Sequence, residues 1–303
     1  TKKNNLDMSS LLGKKEYMLG DHRYLICSII ISCALVGCGA DVEMNGPSSE
    51  GEYSLCSYSD EMYSGYYASA KISYPCERES QPHAAIVLTG GFLDKKETMY
   101  WLSDHLTHYG FTVITITPTT IIGPPVTWRD SHIGGYNKLL EENNNPSSPI
   151  YMTINTDAIS LVGYSFGAAG ALMAANELGS QITSLVLLAP VYPPGFDDLD
   201  IENVTATSLI VGGTNDILST PKVIESLQKR LQNNAPSSFV IFNNVFHESF
   251  ISIGSYHNLM KSYIVPHLEY YLESNSRYLS YLGGRDHDEF VESERIYDSI
   301  FNL

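Results

Sequence analysis

Basic residues are scarce in this sequence. Lys and Arg account for only 18 of its 303 residues, against 34 Asp and Glu, and the formal net charge is −16. The chain has no basic cluster that could hold phosphate groups, so we expect no nucleic-acid partner. It has no internal repeat either, and its 43% apolar content suffices to bury one large core. A single α/β domain therefore fits the chain better than two small ones.

The N-terminal apolar run, residues 25–37, is too short to cross a membrane, because a spanning helix needs about 20 residues. Basic residues precede it, as in a secretory signal. It ends in Leu-Val-Gly-Cys, which is similar to the lipobox of bacterial lipoproteins, whose cysteine is lipidated. We therefore expect residues 1–38 to be a lipoprotein signal peptide and Cys38 to anchor the protein in the membrane of the bacterial cell envelope. The alternative is a plain secretory signal, which would give a secreted protein.

Cysteine is also rare, and of the five in the chain only Cys56 and Cys76 follow Cys38. In an oxidising compartment such a pair is more often bridged than free, so we expect a disulfide; two separate buried thiols are the alternative. Residues 39–60 begin with a segment rich in Gly, Ser, Pro and acidic residues, which cannot pack a core. We expect a flexible tether there.

The rest of the chain alternates apolar, β-branched runs with helical patterns. We expect an α/β domain over residues 61–282 and an acidic helical extension over 283–303, packed on that domain through one apolar face. The alternation indicates a mostly parallel central sheet with helices on both faces, which places ligands at the carboxyl ends of the strands. Strands are predicted at 71–74 (an edge-like strand), 84–88, 111–116, 158–162, 185–189, 208–212 and 239–242, helices at 97–109, 168–175, 221–231 and 255–272, and the apolar face of the extension at Phe290, Tyr297, Ile300 and Phe301.

The pentapeptide Gly163-Tyr164-Ser165-Phe166-Gly167 joins a predicted strand to a predicted helix. In this context G-x-S-x-G predicts a nucleophile elbow, a strained turn in which only glycine fits on either side of the serine. Ser165 would stand at the N-terminus of a helix, where free N–H groups favour developing negative charge. We expect Ser165 to be a catalytic nucleophile.

The candidate partners of this serine also follow predicted strands. Asp216 comes just after strand 208–212, and His247 comes soon after strand 239–242. The chain order Ser, Asp, His is that of an α/β-hydrolase triad, in which imidazole takes the serine proton and carboxylate orients the imidazole. The alternatives are Asp197, Asp198 and Asp200 for the acid and His257 and His267 for the base.

An oxyanion hole requires two backbone N–H groups, one from the residue after the nucleophile and one from the loop after an early strand. These positions are Phe166 and Phe92. The preceding Gly90-Gly91 pair allows the close turn that would aim the Phe92 amide inward.

Taken together, these residues resemble the cutinase-like polyester hydrolases of the α/β-hydrolase superfamily, which include bacterial poly(ethylene terephthalate) hydrolases. The resemblance runs from about Ile72 to about Tyr271. It is carried by Gly91-Phe92, Trp101-Leu102, residues 108–116, residues 148–151, the pentapeptide 163–167, Ala189-Pro190, Asn215-Asp216 and His247.

The resemblance implies that Ser165, Asp216 and His247 are the triad. It also implies roles for Phe92 and Phe166 as oxyanion donors, and substrate-binding roles for Phe92, Tyr164, Phe166 and Val191. Val191 departs from the family, which commonly has a tryptophan there to pack on the aromatic ring of a polyester. A second departure is that Gly213 and Ser249 stand where some aromatic-polyester hydrolases have a disulfide. That disulfide ties the loop that carries the triad Asp (the acid loop) to the loop that carries the triad His (the histidine loop), so we expect those loops to be more mobile here.

The resulting hypothesis is a lipid-anchored serine carboxylic-ester hydrolase that acts on polyester or lipid-like esters through an acyl-enzyme. It would need no metal and no organic cofactor, and we expect a monomer. The alternatives are a lipase or small-molecule esterase of the same fold, a serine peptidase, and a binding module that has lost catalysis.

Overall fold

The computed structural model describes residues 46–303 apart from 62, 64, 78–80, 194 and 252–255. Within these residues a nine-stranded sheet has the order β1-β2-β4-β3-β5-β6-β7-β8-β9. The strands are β1 (Leu55–Asp60), β2 (Tyr67–Pro75), β3 (His83–Thr89), β4 (Thr112–Pro118), β5 (Ile154–Tyr164), β6 (Ser184–Leu188), β7 (Thr207–Gly213), β8 (Ser237–Phe242) and β9 (Ile296–Ile300). The helices are α1 (Tyr100–His108), α2 (Val126–Asn144), α3 (Phe166–Leu178), α4 (Pro221–Leu231), α5 (His257–Glu273) and α6 (Arg285–Glu292).

The six central strands, from β4 to β8 in sheet order, are parallel. Strands β4, β6 and β8 are buried at every residue, as expected of apolar strands that helices cover on both faces. One apolar cluster packs α2, α3 and α4 on one face, and a second packs α1, α5 and α6 on the other. The predicted α/β-hydrolase architecture is confirmed.

The sheet begins earlier in the chain than the sequence predicted. Strand β1 lies inside the predicted tether 39–60 and pairs antiparallel with β2 from Leu55 to Asp60. A disulfide joins Cys56 in β1 to Cys76 just after β2. Because β1 covers the outer side of β2, the predicted edge strand is an inner one. The tether prediction is therefore wrong for residues 55–60.

The residues just before β1 also pack on the domain. His105 in α1 is 2.8 Å from the carbonyl oxygen of Pro47, and the Tyr53 amide donates to the carbonyl of His108. Cys38, the signal peptide 1–38 and residues 39–45 lie outside the described residues. In the part of the chain that the structure describes, every helix is too short or too polar to span a bilayer.

The C-terminal extension is only partly helical. Helix α6 ends before Glu294, which adopts a positive φ of 57°, and the chain then forms β9. Strand β9 pairs antiparallel with β8, whose outer edge offers backbone groups that a helix could not satisfy. The helical prediction is therefore wrong for residues 296–300. Phe290 and Phe301 nevertheless both pack on the Tyr263 ring of α5, each with 5.9 Å between ring centroids.

Candidate active site

Ser165 occupies a sharp turn between β5 and α3. Its φ is 55° and its ψ is −117°, a strained conformation for a residue with a side chain. A Cβ at Gly163 would stand 2.5 Å from the Ala168 nitrogen, and one at Gly167 would stand 2.9 Å from the Thr89 carbonyl oxygen. Both glycines of the pentapeptide are therefore required by backbone packing, which is the geometry of a nucleophile elbow.

Ser165, His247 and Asp216 form one chain of hydrogen bonds. His247 Nε2 is 2.9 Å from Ser165 Oγ, and His247 Nδ1 is 2.7 Å from Asp216 Oδ2. Because Nδ1 faces a carboxylate, it carries the proton, and the Nε2 lone pair is directed at the serine hydroxyl. The other carboxylate oxygen, Asp216 Oδ1, accepts the backbone N–H groups of Leu218 and Ser219, each at 2.8 Å. These contacts hold the carboxylate in one orientation.

The acid and histidine loops follow the neighbouring parallel strands β7 and β8. The Asn215 amide donates to the carbonyl of Val245 at 3.0 Å, and the Asn244 amide donates to Thr214 Oγ1 at 2.9 Å. A Cβ at Gly213 would lie 2.7 Å from Val245 Cβ, so the loops are in close contact at this point. Hydrogen bonds from backbone amides thus join the two loops, and greater mobility of these loops stays a prediction.

The competing histidines have other partners. His257 Nε2 is 2.7 Å from the carbonyl oxygen of Ile251, and its ring stacks on Trp101 with 3.8 Å between centroids. Ser184 Oγ lies 2.9 Å from Nε2 of the buried His267. The alternative acids are exposed side chains on the segment after β6, at Asp197, Asp198 and Asp200.

The backbone amides of Phe92 and Phe166 have no acceptor among the described residues. Phe166 is the first residue of α3, where N–H groups lack partners within the helix. A Cβ at Gly91 would lie 2.7 Å from Ser165 Cβ, so glycine lets the Phe92 loop approach the nucleophile. The arrangement suits an oxyanion next to the serine.

Asp94 holds this loop, and the sequence analysis missed it. Its Oδ2 accepts the Gly91 N–H at 2.8 Å, and its own amide donates back to the Gly91 carbonyl at 3.2 Å. Leu93, with a positive φ of 70°, donates its amide to the Ile121 carbonyl at 2.7 Å. Burial raises the pKa of Asp94, against the opposing effects of the Gly91 amide and His247. The reciprocal bonds between Gly91 and Asp94 set the direction of the intervening Phe92 amide.

His132, in α2, contacts the backbone of the nucleophile elbow. The sequence did not indicate this role. The Nε2 atom of His132 lies 3.0 Å from Thr89 Oγ1 and 3.1 Å from the Gly167 carbonyl oxygen. Burial lowers the pKa of His132 to about 4, so the ring is neutral at neutral pH. Helical spacing alone marks this position only as one that faces the core.

The predicted substrate-binding residues differ in exposure. Phe92 is 46% exposed, and its ring meets that of the half-buried Phe166 edge to face at 5.6 Å. Val191 follows β6, and its amide donates to the Ser165 carbonyl at 3.2 Å. Tyr164 is only 4% exposed, and its hydroxyl donates to the His247 carbonyl at 2.9 Å. This position under the histidine loop does not fit the prediction that Tyr164 binds substrate.

A group of exposed apolar side chains, here called the rim, lies at the edge of the sheet that also carries Ser165, and most of it was not predicted. Its residues lie on loops at the carboxyl ends of the strands. Such patches mark binding sites on soluble proteins. The rim consists of Phe92, Leu93, Ile122, Ile217, Leu218 and Phe246.

Within the described ranges, no cluster of His, Cys, Asp or Glu is arranged to hold a metal ion.

The sequence of this chain is similar to those of several known proteins. A model of a PET hydrolase-like family matches residues 43–300, which is further in both directions than the resemblance read from the sequence. Cutinase 1 of Thermobifida cellulosilytica is 24% identical over 248 residues, covering 80% of this chain and 87% of the relative. A cutinase of Thermobifida fusca (strain YX) is also 24% identical, covering 80% and 76%. Lipase 1 of Moraxella sp. (strain TA144) is 26% identical over a shorter stretch, 48% of this chain and 42% of the lipase.

Proposed function

The chain belongs to the PET hydrolase-like family and is a carboxylic-ester hydrolase of the cutinase type, and from this premise we propose that Ser165, His247 and Asp216 carry out its reaction. The observation that carries the proposal is the continuous path of 2.9 Å and 2.7 Å contacts from Ser165 Oγ through His247 to a buried carboxylate. Serine alone is a weak nucleophile and needs such a base.

In the first half of the reaction, Ser165 Oγ attacks the ester carbonyl carbon while His247 Nε2 takes the hydroxyl proton. The carbonyl oxygen becomes an oxyanion that the Phe92 and Phe166 amides stabilise. The C–O bond to the alcohol then breaks, and His247 gives its proton to the leaving oxygen. This leaves an acyl group on Ser165.

In the second half, water attacks the acyl carbon and His247 takes a proton from the water. The bond to Ser165 Oγ breaks, the proton passes to the serine oxygen, and the carboxylic acid is released. Asp216 keeps the imidazole in the required tautomer and stabilises its charged form throughout.

The test combines active-site labelling with turnover of a soluble ester. A fluorophosphonate should label the wild type and not Ser165→Ala, and Ser165→Ala and His247→Ala should each lower turnover by several orders of magnitude without unfolding the protein. Asp216→Ala should be somewhat milder, whereas Asp197→Ala serves as the matched control and should retain activity. Equal labelling of wild type and Ser165→Ala would refute the assignment, and faster cleavage of amides than of matched esters would favour a peptidase.

We also propose that the protein is exported and anchored by a lipid on Cys38. The lipobox-like sequence before Cys38 supports an anchor. The disulfide between Cys56 and Cys76 fits an oxidising compartment outside the cytoplasm.

A further inference from the structure

We propose that Tyr164 is a positioning residue for His247; the inference rests on the proposed role of His247 as the base. Tyr164 is the last residue of β5 and directly precedes Ser165. Its side chain crosses to the histidine loop, where Oη donates to the His247 backbone carbonyl at 2.9 Å. One short segment thus carries both the nucleophile and a contact that holds its base.

The ring of Tyr164 has little freedom to move its hydroxyl away. Its centroid lies 5.1 Å from that of His247 and 6.0 Å from that of Phe250, with an 18° angle to the Phe250 ring. Phe250 is fully buried, and Tyr164 is only 4% exposed. Packing on both sides therefore directs the hydroxyl at the His247 carbonyl.

The hydroxyl is also a constant donor. Burial raises the pKa of Tyr164, and the nearby carboxylates of Asp94, Asp216 and Glu248 raise it further. The phenol therefore keeps its proton at any pH at which the enzyme would work. A side chain with a hydroxyl committed to the backbone and almost no exposed surface has little left to offer a substrate.

Two other contacts of the histidine loop lie before His247. They join Asn244 and Val245 to the acid loop. The Tyr164 hydroxyl instead contacts the backbone of His247 itself. It therefore fixes His247 relative to the nucleophile elbow, whereas the contacts of Asn244 and Val245 fix the loop relative to the acid loop. Because a misplacement of about 1 Å can cost about a hundredfold in rate, loss of this contact should lower turnover without altering the cleft.

The test is Tyr164→Phe, which removes the hydroxyl and keeps the ring. We expect kcat on a soluble p-nitrophenyl ester to fall about tenfold with KM unchanged, as a partial loss of geometry predicts. Tyr271→Phe is the matched control, because Tyr271 Oη also donates to a backbone carbonyl, that of Asn302 at 3.1 Å. That bond lies at the opposite end of the sheet, so the control should lose similar thermal stability and keep its kcat.

The same substitution in a His247→Ala background separates positioning from other roles. There, Tyr164→Phe should leave the residual rate unchanged, because the group that it positions is gone. A raised KM with unchanged kcat would overturn the proposal in favour of substrate binding, and an unchanged kcat and KM would show that the hydrogen bond has no effect on turnover. If His247→Ala itself kept near wild-type activity, the proposed triad would fail, which is a result distinct from either outcome for Tyr164.

Discussion

Glu269 should make the stability of this protein depend on pH. It lies near the end of α5 and is only 6% exposed. Burial, reinforced by the neighbouring Glu273 carboxylate, raises the pKa of Glu269 from 4.5 to about 7, against the opposing effects of Asn275 and Arg277. The folded protein therefore binds this proton more tightly than the unfolded chain does. The resulting stability is fully present below pH 4.5 and is lost as the pH rises through 7.

The magnitude follows from that difference in pKa. At about 1.4 kcal/mol per pH unit, it corresponds to about 3 kcal/mol in the free energy of unfolding. Glu269→Gln removes the charge, and its side-chain oxygen can still accept the hydrogen bond that Asn275 now donates to Glu269. The variant should match the wild type near pH 4.5 and be about 3 kcal/mol more stable at pH 8, or roughly 6–10 °C in Tm.

The assay is urea unfolding followed by tryptophan fluorescence, with the disulfide intact, at several pH values between 4.5 and 8. Comparing the variant with the wild type at each pH cancels the other titrating groups. Glu289→Gln, at an exposed position on α6, controls for a change in net charge. A difference between Glu269→Gln and the wild type that stays constant with pH, or a variant that is less stable at pH 8, would refute the reasoning.

Three other predictions concern the site and the anchor. Asp94→Ala should lower kcat on a soluble ester by at least about tenfold, because the Phe92 amide loses its alignment. The side-chain oxygen of Asp94→Asn can still accept the hydrogen bond from the Gly91 amide, so this variant should keep most of the activity. Equal losses of kcat in both variants would contradict this. The wild type should hydrolyse an aliphatic polyester faster than an aromatic one at equal enzyme loading. Val191→Trp should narrow that gap by up to about tenfold through a ring contact of about 0.5–1.5 kcal/mol, and an unchanged preference would count against the reading. Finally, the full-length protein should partition with membranes when expressed in a bacterium and Cys38→Ser should not, as cell fractionation would reveal; equal membrane association of both forms would end the lipidation hypothesis.

The parts of the candidate site that could be predicted from the sequence are those set by local backbone and chain order. The glycines at 163 and 167 are needed wherever a strand turns sharply into a helix around a serine, so a pentapeptide is enough to predict the elbow. Asp216 and His247 were found because each follows an apolar strand, and parallel strands end at the same edge of a sheet. The buried strands were equally clear, since covered parallel strands are apolar at nearly every position.

Only the tertiary structure decided how the sheet edges are covered and which side chains position the catalytic groups. Strands β1 and β9 are extended because they pair with the edges of β2 and β8. Their own sequences do not indicate this pairing, so β1 was predicted as part of a tether and β9 as part of a helix. Asp94 was missed because its partner is a backbone amide in a turn that has no sequence signature. The substrate-binding role of Tyr164 was implied only by the family resemblance, and the sequence does not tell whether a residue next to the nucleophile faces the cleft or the core. The direction of the Tyr164 side chain is set by Phe250 and His247, more than 80 residues away in the chain, and residue spacing carries no information about such contacts.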